Sequence, residues 1–388
     1  MKINGYRRPD GQLGIRNHVL ILPTVACAAE TCRIAAGLVN GAVSLINPNG
    51  CGEVEGNRKL TQTVLTGLAA NPNVYGTLLI GLGCEPNSTS VMARLIGSKT
   101  NKPLSSLVIQ EEGGTVNTIC KAVKIAQQMV TDASSCAVEE ASISDILLGI
   151  ECGGSDATSG LAANPVMGFV SDRLIDLGGT AMFSETPEIV GAEHILAKRC
   201  KDSAMGQRIL DICTDLETSL EKVNEDLRSG QPSPGNKEGG ITTLEEKSLG
   251  CIHKGGTRPV SEVVECAHRP SRKGLIYMDT PGYDPLSVSA KAAAGCQLIV
   301  FTTGRGTPIG NPVVPVLKVT ANRETYAKMN DNIDLDLSAV LQGEKTIEQM
   351  GLVVFGEIVR IANGKRTKAE IHGFGYSEVV VRRLCDYV

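Results

Sequence analysis

Short apolar runs that end in polar loops recur along the chain. Each run is about as long as a buried strand, and the loop that follows it carries Gly or Pro among polar residues. Runs that are apolar on both faces are typical of strands in parallel sheets. The predicted strands lie within residues 18–24, 43–47, 76–85, 145–156, 274–280 and 297–304.

Helical patterns separate many of these strands. Apolar residues spaced three and four apart predict a helix across residues 116–130. Thr186, Pro187 and Glu188 resemble a helix start, with a capping hydroxyl, Pro at the first position and an acid in the first turn. Strands that alternate with helices predict an α/β fold, with Rossmann-like parallel sheets flanked by helices.

We expect two α/β domains, at residues 1–135 and 143–388. Residues 131–142 are mostly small or polar with weak periodicity, which suits a link between the domains. A second segment, at about 229–245 and rich in Gly and Pro near its start, predicts a loop excursion. Such an excursion lies either near the active site or elsewhere on the surface.

Composition narrows the classes of partner. The net charge of −4 and an aromatic content of 3% do not favour nucleic-acid binding. No apolar stretch approaches the roughly 18 residues of a membrane span, and the N-terminal residues lack the apolar core of a signal peptide. We therefore expect a cytoplasmic protein with no membrane partner. The odd number of cysteines, 13, argues against a disulfide framework.

Three of these cysteines stand apart from the others. Cys51, Cys84 and Cys152 each follow a predicted strand, and each has Gly beside it. Ligands of parallel sheets bind beyond the carboxyl ends of the strands, which is where these loops lie. Three thiolates from three loops would suit a metal or an iron–sulfur cluster with one open iron. Three small buried residues in tight turns would give the same pattern.

Charged and titratable residues also lie in these loops. His194 follows Glu193 near the predicted helix start, and the two form either an acid/base pair or part of a solvated helix face. Arg16, Lys254 and Arg305 lie close to glycines, and the planar fork of Arg matches a carboxylate. No phosphate-binding loop or dinucleotide fingerprint is present, so nucleotide binding is not supported.

Read together, these stretches resemble the altronate/galactarate dehydratase family of sugar-acid hydro-lyases. The matching motifs follow one another in order over nearly the whole chain. They lie at residues 5–17, 68–74, 81–85, 151–156, 163–165, 183–188, 246–250, 278–284 and 301–310.

The resemblance implies an iron-dependent dehydration of an aldonate or aldarate to a 2-keto-3-deoxy acid. The reaction removes the proton next to a carboxylate and expels the hydroxyl on the neighbouring carbon. It needs a carboxylate clamp, a base and a Lewis acid. In this interpretation Arg16 and Arg305 clamp the carboxylate, and Asn17 and Thr303 add hydrogen bonds.

The iron site and the base remain open at this point. One alternative is a three-cysteine 4Fe–4S cluster on Cys51, Cys84 and Cys152, and the other is a single Fe²⁺. The ligands of a single ion would include Glu85, Asp156 or His194, and the candidates for the base are His194, Lys254 and His253.

The resemblance also implies a subunit arrangement. Single-chain members of the family have a small domain of about 100 residues before the segment equivalent to residues 5–17. We therefore expect the large subunit of an oligomer, with the small domain as a separate polypeptide.

Two other functions compete with dehydration. Related sulfolactate sulfo-lyases are split in the same way, so the leaving group is either water or sulfite. A non-catalytic sensor of small acids is the third alternative, although the many polar groups at strand ends argue against it.

Overall fold

The computed structural model of the protein describes residues 1–375 and has the predicted α/β class, with parallel sheets flanked by helices. The first parallel sheet and its helices come from residues 18–134. Its strands are β3 (His18–Pro23), β4 (Ala42–Ser44), β5 (Val74–Gly81) and β6 (Leu104–Val108). The strand order is β4-β3-β5-β6. The flanking helices are α1 (Ala26–Gly37), α2 (Glu55–Ala70), α3 (Thr89–Gly97) and α4 (Thr115–Ser134).

The second parallel sheet is larger. Its strands are β8 (Leu147–Cys152), β9 (Thr180–Phe183), β10 (Val260–Val264), β11 (Gly274–Met278), β12 (Leu298–Thr302), β13 (Val316–Thr320) and β14 (Leu335–Asp336). They are arranged in the order β10-β11-β9-β8-β12-β13-β14. The central strands β8 and β12 are buried along their whole length, as apolar runs covered on both faces require.

Helices of very different length surround this sheet. They are α5 (Asn164–Asp176), α6 (Glu193–Lys198), α7 (Ser203–Glu221), α8 (Leu227–Gly230), α9 (Pro234–Glu238), α10 (Leu244–Ile252), α11 (Asp284–Ala293), α12 (Arg323–Lys328), α13 (Ile347–Ala362) and α14 (Lys368–His372). Within residues 1–375, no helix combines the length and the apolar character that crossing a membrane requires.

Two local expectations differ from the structure. The segment expected to be a plain link instead contains strand β7 (Glu139–Ser142), which pairs antiparallel with β1 (Lys2–Arg7) in a small sheet completed by β2 (Leu13–Gly14). The helix expected to start at Thr186 is only a 3₁₀ turn, and α6 begins at Glu193. The intervening Gly191 has φ +91°, a left-handed conformation that interrupts a helix.

The two parallel sheets are joined through α2 and α11. These helices approach so closely at Gly67 that a Cβ there would lie 2.3 Å from the carbonyl oxygen of Ala293. Beside this crossing, the side-chain amide of Asn71 donates to the carbonyls of Ala292 and Cys296 at 2.6 and 2.9 Å. The motif at residues 68–74 therefore fastens the first sheet to the second.

Arg16 is committed to the fold. Its five N–H donors are used within the protein: two reach the carboxylate of Glu370 at 2.7 and 3.0 Å, and three reach the backbone carbonyls of Ile15, Ile361 and Lys365. Asn17 likewise accepts from Arg8 and donates to the carbonyl of Ala133. A carboxylate of the protein itself therefore fills the guanidinium fork of Arg16, and both side chains are held by contacts within the fold.

We expect the substitution Arg16→Gln to lower the free energy of unfolding by about 3 kcal/mol, because it leaves the mostly buried Glu370 carboxylate without its partner. Urea denaturation followed by circular dichroism measures the change. Lys2→Gln, which removes an exposed ion pair with Glu140, is the control and should have little effect. Equal stability of the Arg16→Gln variant and the wild type would contradict this structural role.

Candidate active site

Charged and thiol side chains meet at the carboxyl edge of the seven-stranded sheet. Cys152 is the last residue of β8, and Glu185 and Glu188 follow β9. Helix α10 contributes Lys247 and Cys251. The other members are Glu151 in β8, Lys254 in the turn after α10, and Asp284, Ser287 and Lys291 in α11. We call these residues the buried charged cluster.

One part of the cluster is a triangle of ligating atoms. The Sγ atoms of Cys152 and Cys251 lie 3.4 Å apart, and each lies 3.1 Å from Oε2 of Glu188. The hydrogen bond with Cys251 lowers the pKa of Cys152 below its ordinary value, against the effect of burial. The same hydrogen bond, together with burial, raises the pKa of Cys251. Of the two thiols, Cys152 is therefore the one that ionises more readily.

Lys254 and Glu185 form a fully buried ion pair beside this triangle. Nζ of Lys254 is hydrogen-bonded to Oε2 of Glu185 and lies 3.7 Å from Oε2 of Glu188. Burial opposes the charged ammonium, but Cys152, Glu185 and Glu188 raise the pKa of Lys254 well above its usual range. Lys254 is therefore a fixed positive charge.

Glu185 has the features of a proton acceptor. Its backbone adopts the left-handed conformation at φ +84°, which is unusual for a residue other than Gly. Its Oε1 is buried and finds no hydrogen-bond partner among residues 1–375. Burial, and then the nearby Glu151 and Glu188, raise the pKa of Glu185 well above its usual value. An unsatisfied carboxylate oxygen of raised pKa can accept a proton.

Glu188 differs from Glu185 although it lies three residues away. Burial alone would raise its pKa, but the ammonium groups of Lys247 and Lys254 outweigh this effect and lower the pKa to about 2. Nζ of Lys247 lies 2.9 Å from Oε1 of Glu188. Glu188 is therefore a permanent carboxylate, and neighbouring acids with separated pKa values are typical of acid/base sites.

Asp284 closes the other side of the cluster. Carboxylate oxygens of Glu151, Glu185 and Asp284 lie within 4.8 Å of one another. Burial, with the negative charges of Glu151, Glu188 and Cys152, raises the pKa of Asp284 to about 8. Gly153 is required here, because a Cβ at this position would lie 2.4 Å from the Asp284 carboxylate.

Glu151 is neutralised by α11 rather than by α10. Nζ of Lys291 is hydrogen-bonded to its Oε2, and the hydroxyl of Ser287 donates to the same oxygen at 2.8 Å. Each of the three glutamates in the cluster thus has its own lysine, whereas the half-buried Asp284 carboxyl forms no ion pair with a lysine among residues 1–375.

The expected loop excursion covers the cluster. Its helix α9 donates from the Asn236 amide to the carbonyl of Ser155 at 2.8 Å, and Gln231 accepts from Lys247 at 2.6 Å. Glu238 in the same helix pairs with Arg305 at 2.9 Å. Residues 229–245 therefore lie against the loop that follows Cys152.

The sequence candidates fall into different places. Lys254 lies in the buried charged cluster, whereas the imidazoles of His194 and His253 are exposed to solvent. Thr303 and Arg305 follow β12, where the amide N–H of Arg305 donates to the carbonyl of Gly154 at 2.8 Å. Thr303 is buried, and its hydroxyl accepts from the amide of Gly306 at 2.9 Å.

The three cysteines chosen from the sequence are not gathered in one place. Cys84 is hydrogen-bonded to Cys51 at the edge of the first sheet, and both are exposed. Cys152 is buried, and its thiol neighbours are Cys251, Glu188 and Ser155. Among the described residues, the close groups of possible ligands that contain Cys152 or Glu185 do not include Cys51 or Cys84.

The other residues of the buried charged cluster were not predicted from the sequence, although their helical spacing could have indicated them. Lys247, Cys251 and Lys254 are separated by four and three residues, which places them on one face of α10 and its terminal turn. Asp284, Ser287 and Lys291 follow the same rule on α11. A polar stripe on an otherwise buried helix marks such a site.

Comparison with known proteins supports one family throughout. Residues 5–134 match the family model described as the second domain of D-galactarate dehydratase/altronate hydrolase. Residues 143–385 match the model of the D-galactarate/altronate dehydratase C-terminal region.

Individual relatives cover most of the chain. Subunit beta of (2R)-sulfolactate sulfo-lyase from Chromohalobacter salexigens is 37% identical over 98% of this chain and 97% of its own length. Altronate dehydratase from Escherichia coli is 34% identical over 95% of this chain and 75% of its own length. Galactarate dehydratase (L-threo-forming) from Escherichia coli is 34% identical over 93% of this chain and 73% of its own length. The chain therefore belongs to the D-galactarate/altronate dehydratase family and is an enzyme of the lyase class.

Proposed function

We propose that this chain is the large catalytic subunit of a hydro-lyase that dehydrates an aldonate or aldarate to a 2-keto-3-deoxy acid. The observation that carries the proposal is the buried pair of Glu185 and Lys254, in which an unsatisfied carboxylate oxygen lies beside a fixed ammonium group. The altronate and galactarate dehydratases among the relatives support a sugar acid as the substrate.

The residues divide the elimination between them. Glu185 takes the proton from the carbon next to the substrate carboxylate. The electron pair of the broken C–H bond then forms the carbon–carbon double bond as the neighbouring C–O bond breaks. Lys254 stabilises the negative charge that develops on that carboxylate. Asp284 donates a proton to the departing hydroxyl, which leaves as water. The enol product then tautomerises to the keto acid.

Arg305 remains our proposed contact for the substrate carboxylate, with Thr303 holding its loop. The Arg305 guanidinium is exposed, and its pairing with Glu238 is open to exchange with a carboxylate of the substrate. A cavity of about 650 Å³ also lies between the first turn of α2 and Thr280, whose hydroxyl accepts from the amide of Glu185 at 3.1 Å. This cavity is large enough for a six-carbon acid, and its lining includes Asp279, Thr280 and Leu286 but not Glu185, Lys254 or Asp284 themselves.

Iron fits the thiols of the first sheet better than the buried charged cluster. Glu151, Glu185 and Glu188 already face Lys291, Lys254 and Lys247, so an added cation would meet positive charge. Cys51 and Cys84 offer soft ligands, and the Cys51 loop leads into α2, which borders the cavity. Bound there, iron would supply a Lewis acid for the oxygen that leaves.

We also propose a separate small chain as the partner. The dehydratases extend beyond the region that this chain matches, whereas the sulfo-lyase relative of matching length is named as a subunit. This same match in length favours a second candidate function, the release of sulfite from sulfolactate.

A product assay distinguishes these functions. The chain, co-produced with the small partner chain, is given altronate, galactarate or sulfolactate, and both keto acid and sulfite are measured. We expect a 2-keto-3-deoxy acid from a sugar acid, without sulfite. Sulfite from sulfolactate alone would establish the second candidate, and the absence of every product with an iron-loaded complex would contradict both.

The pH profile tests the role of Asp284. Because Asp284 must be protonated to act as an acid, we expect kcat for dehydration to fall as pH rises through about 8. Asp284→Asn should lower kcat by roughly 100-fold at neutral pH and remove this fall. Glu357→Gln, which alters a buried, lysine-paired carboxylate outside the cluster, should keep the wild-type profile. An unchanged pH profile of kcat in Asp284→Asn would contradict the role of Asp284 as an acid. Sulfite leaves as an anion, so the release of sulfite needs no such proton.

A further inference from the structure

Three exposed cysteines meet at the carboxyl edge of the first sheet. Cys27 lies in the first turn of α1, directly after β3, while Cys51 follows β4 and Cys84 follows β5. Strand β3 lies between β4 and β5, so the three loops are neighbours in space as well as in the sheet order. Ligand sites of parallel sheets form at this edge.

Hydrogen bonds hold the three loops together. The amide of Ala26, next to Cys27, donates to the carbonyl of Asn49 in the Cys51 loop at 2.8 Å. The hydroxyl of Thr24 donates to Glu85, next to Cys84, also at 2.8 Å. The Cys84 thiol is itself hydrogen-bonded to Cys51. Burial raises the pKa of the Cys84 thiol, and Cys27 is close enough to contribute to this shift.

The exposure of these thiols is unusual. Free cysteines are normally buried as small apolar residues, because exposed thiols oxidise readily. Among the described residues, the exposed cysteines are Cys27, Cys51, Cys84 and Cys120. Three of these four cysteines lie together at the carboxyl edge of the first sheet. Apolar packing does not explain this grouping of exposed thiols, whereas a common ligand does.

We propose that Cys27, Cys51 and Cys84 bind a 4Fe–4S cluster through three thiolates and leave one iron open. Thiolates are the ligands that such clusters prefer, and three of them leave one iron free to take an oxygen ligand. The choice of iron rests on the proposed function, whereas the three-thiol site does not.

This assignment replaces Cys152 by Cys27 in the set of ligands. The Cys152 thiol is buried beside Cys251 and Glu188. The negative charge of the Glu188 carboxylate is already neutralised by Lys247 and Lys254. The thiols of Cys27, Cys51 and Cys84 are instead exposed to solvent. An iron–sulfur cluster can be inserted at this position, and a substrate can reach the cluster there.

Metal analysis of the anaerobically purified chain tests the proposal. We expect about four irons and four sulfides per chain, with broad visible absorption that disappears in air. Cys27→Ser should lose the absorption and most of the iron, and circular dichroism would verify that it folds. Cys120→Ser, which changes the fourth exposed cysteine, should keep both, and Cys152→Ser should keep the cluster absorption.

Alkylation gives a readout that needs no variant. Iodoacetamide should label Cys27, Cys51 and Cys84 in the cluster-free chain and should label them at least tenfold less after reconstitution with Fe²⁺ and sulfide, as read by peptide mass spectrometry. Labelling of Cys120 should not change.

Several outcomes would overturn the cluster. Iron without sulfide, zinc alone, or a Cys27→Ser variant that keeps the cluster while Cys152→Ser loses it would each do so. The proposed function fails separately: a chain that holds the cluster in complex with its partner and yields no product would contradict the function and leave the site intact.

Discussion

Buried charges must be paired, and this constraint organises the carboxyl edge of the seven-stranded sheet. Glu151, Glu185 and Glu188 are held at the ends of two adjacent strands in a fully buried setting. Each carboxylate requires an ammonium group, because an unpaired buried charge costs several kcal/mol. Lys247 and Lys254 come from one helix and its terminal turn, and Lys291 comes from another. The positions of α10 and α11 therefore depend on these ion pairs as well as on apolar packing.

The local pattern of the sequence was sufficient for much of the fold. The six predicted strands correspond to β3, β4, β5, β8, β11 and β12, because continuous apolar runs of this length have few alternatives in an α/β chain. The other eight described strands were not predicted: they include the short edge strands β7 and β14, since two to four residues carry no periodic signal, and β6, β9, β10 and β13 of the parallel sheets. The helix expected at Thr186 is limited to one turn because the chain adopts the left-handed conformation at Gly191, before α6 begins.

The site was harder to predict for a physical reason. Residue type and loop position drew attention to Lys254, Cys51 and Cys84, but grouping them requires distances between elements. Arg16 shows the limit most clearly: the same guanidinium fork that fits a substrate carboxylate fits that of Glu370, which lies 354 residues away. Cys152 and Cys27 each follow a strand, but the strands belong to different sheets, and the sequence alone does not show which of the two thiols lies near Cys51 and Cys84.

Proton abstraction by Glu185 is the central claim, and hydrogen exchange tests it most directly. The loaded complex is incubated in D₂O with a sugar-acid substrate, and loss of the proton at the carbon next to the carboxylate is followed by NMR. We expect Glu185→Gln to reduce this loss at least 100-fold, while the matched variant Glu357→Gln retains the wild-type rate. Loss of the proton at the wild-type rate in folded, iron-loaded Glu185→Gln would contradict the account.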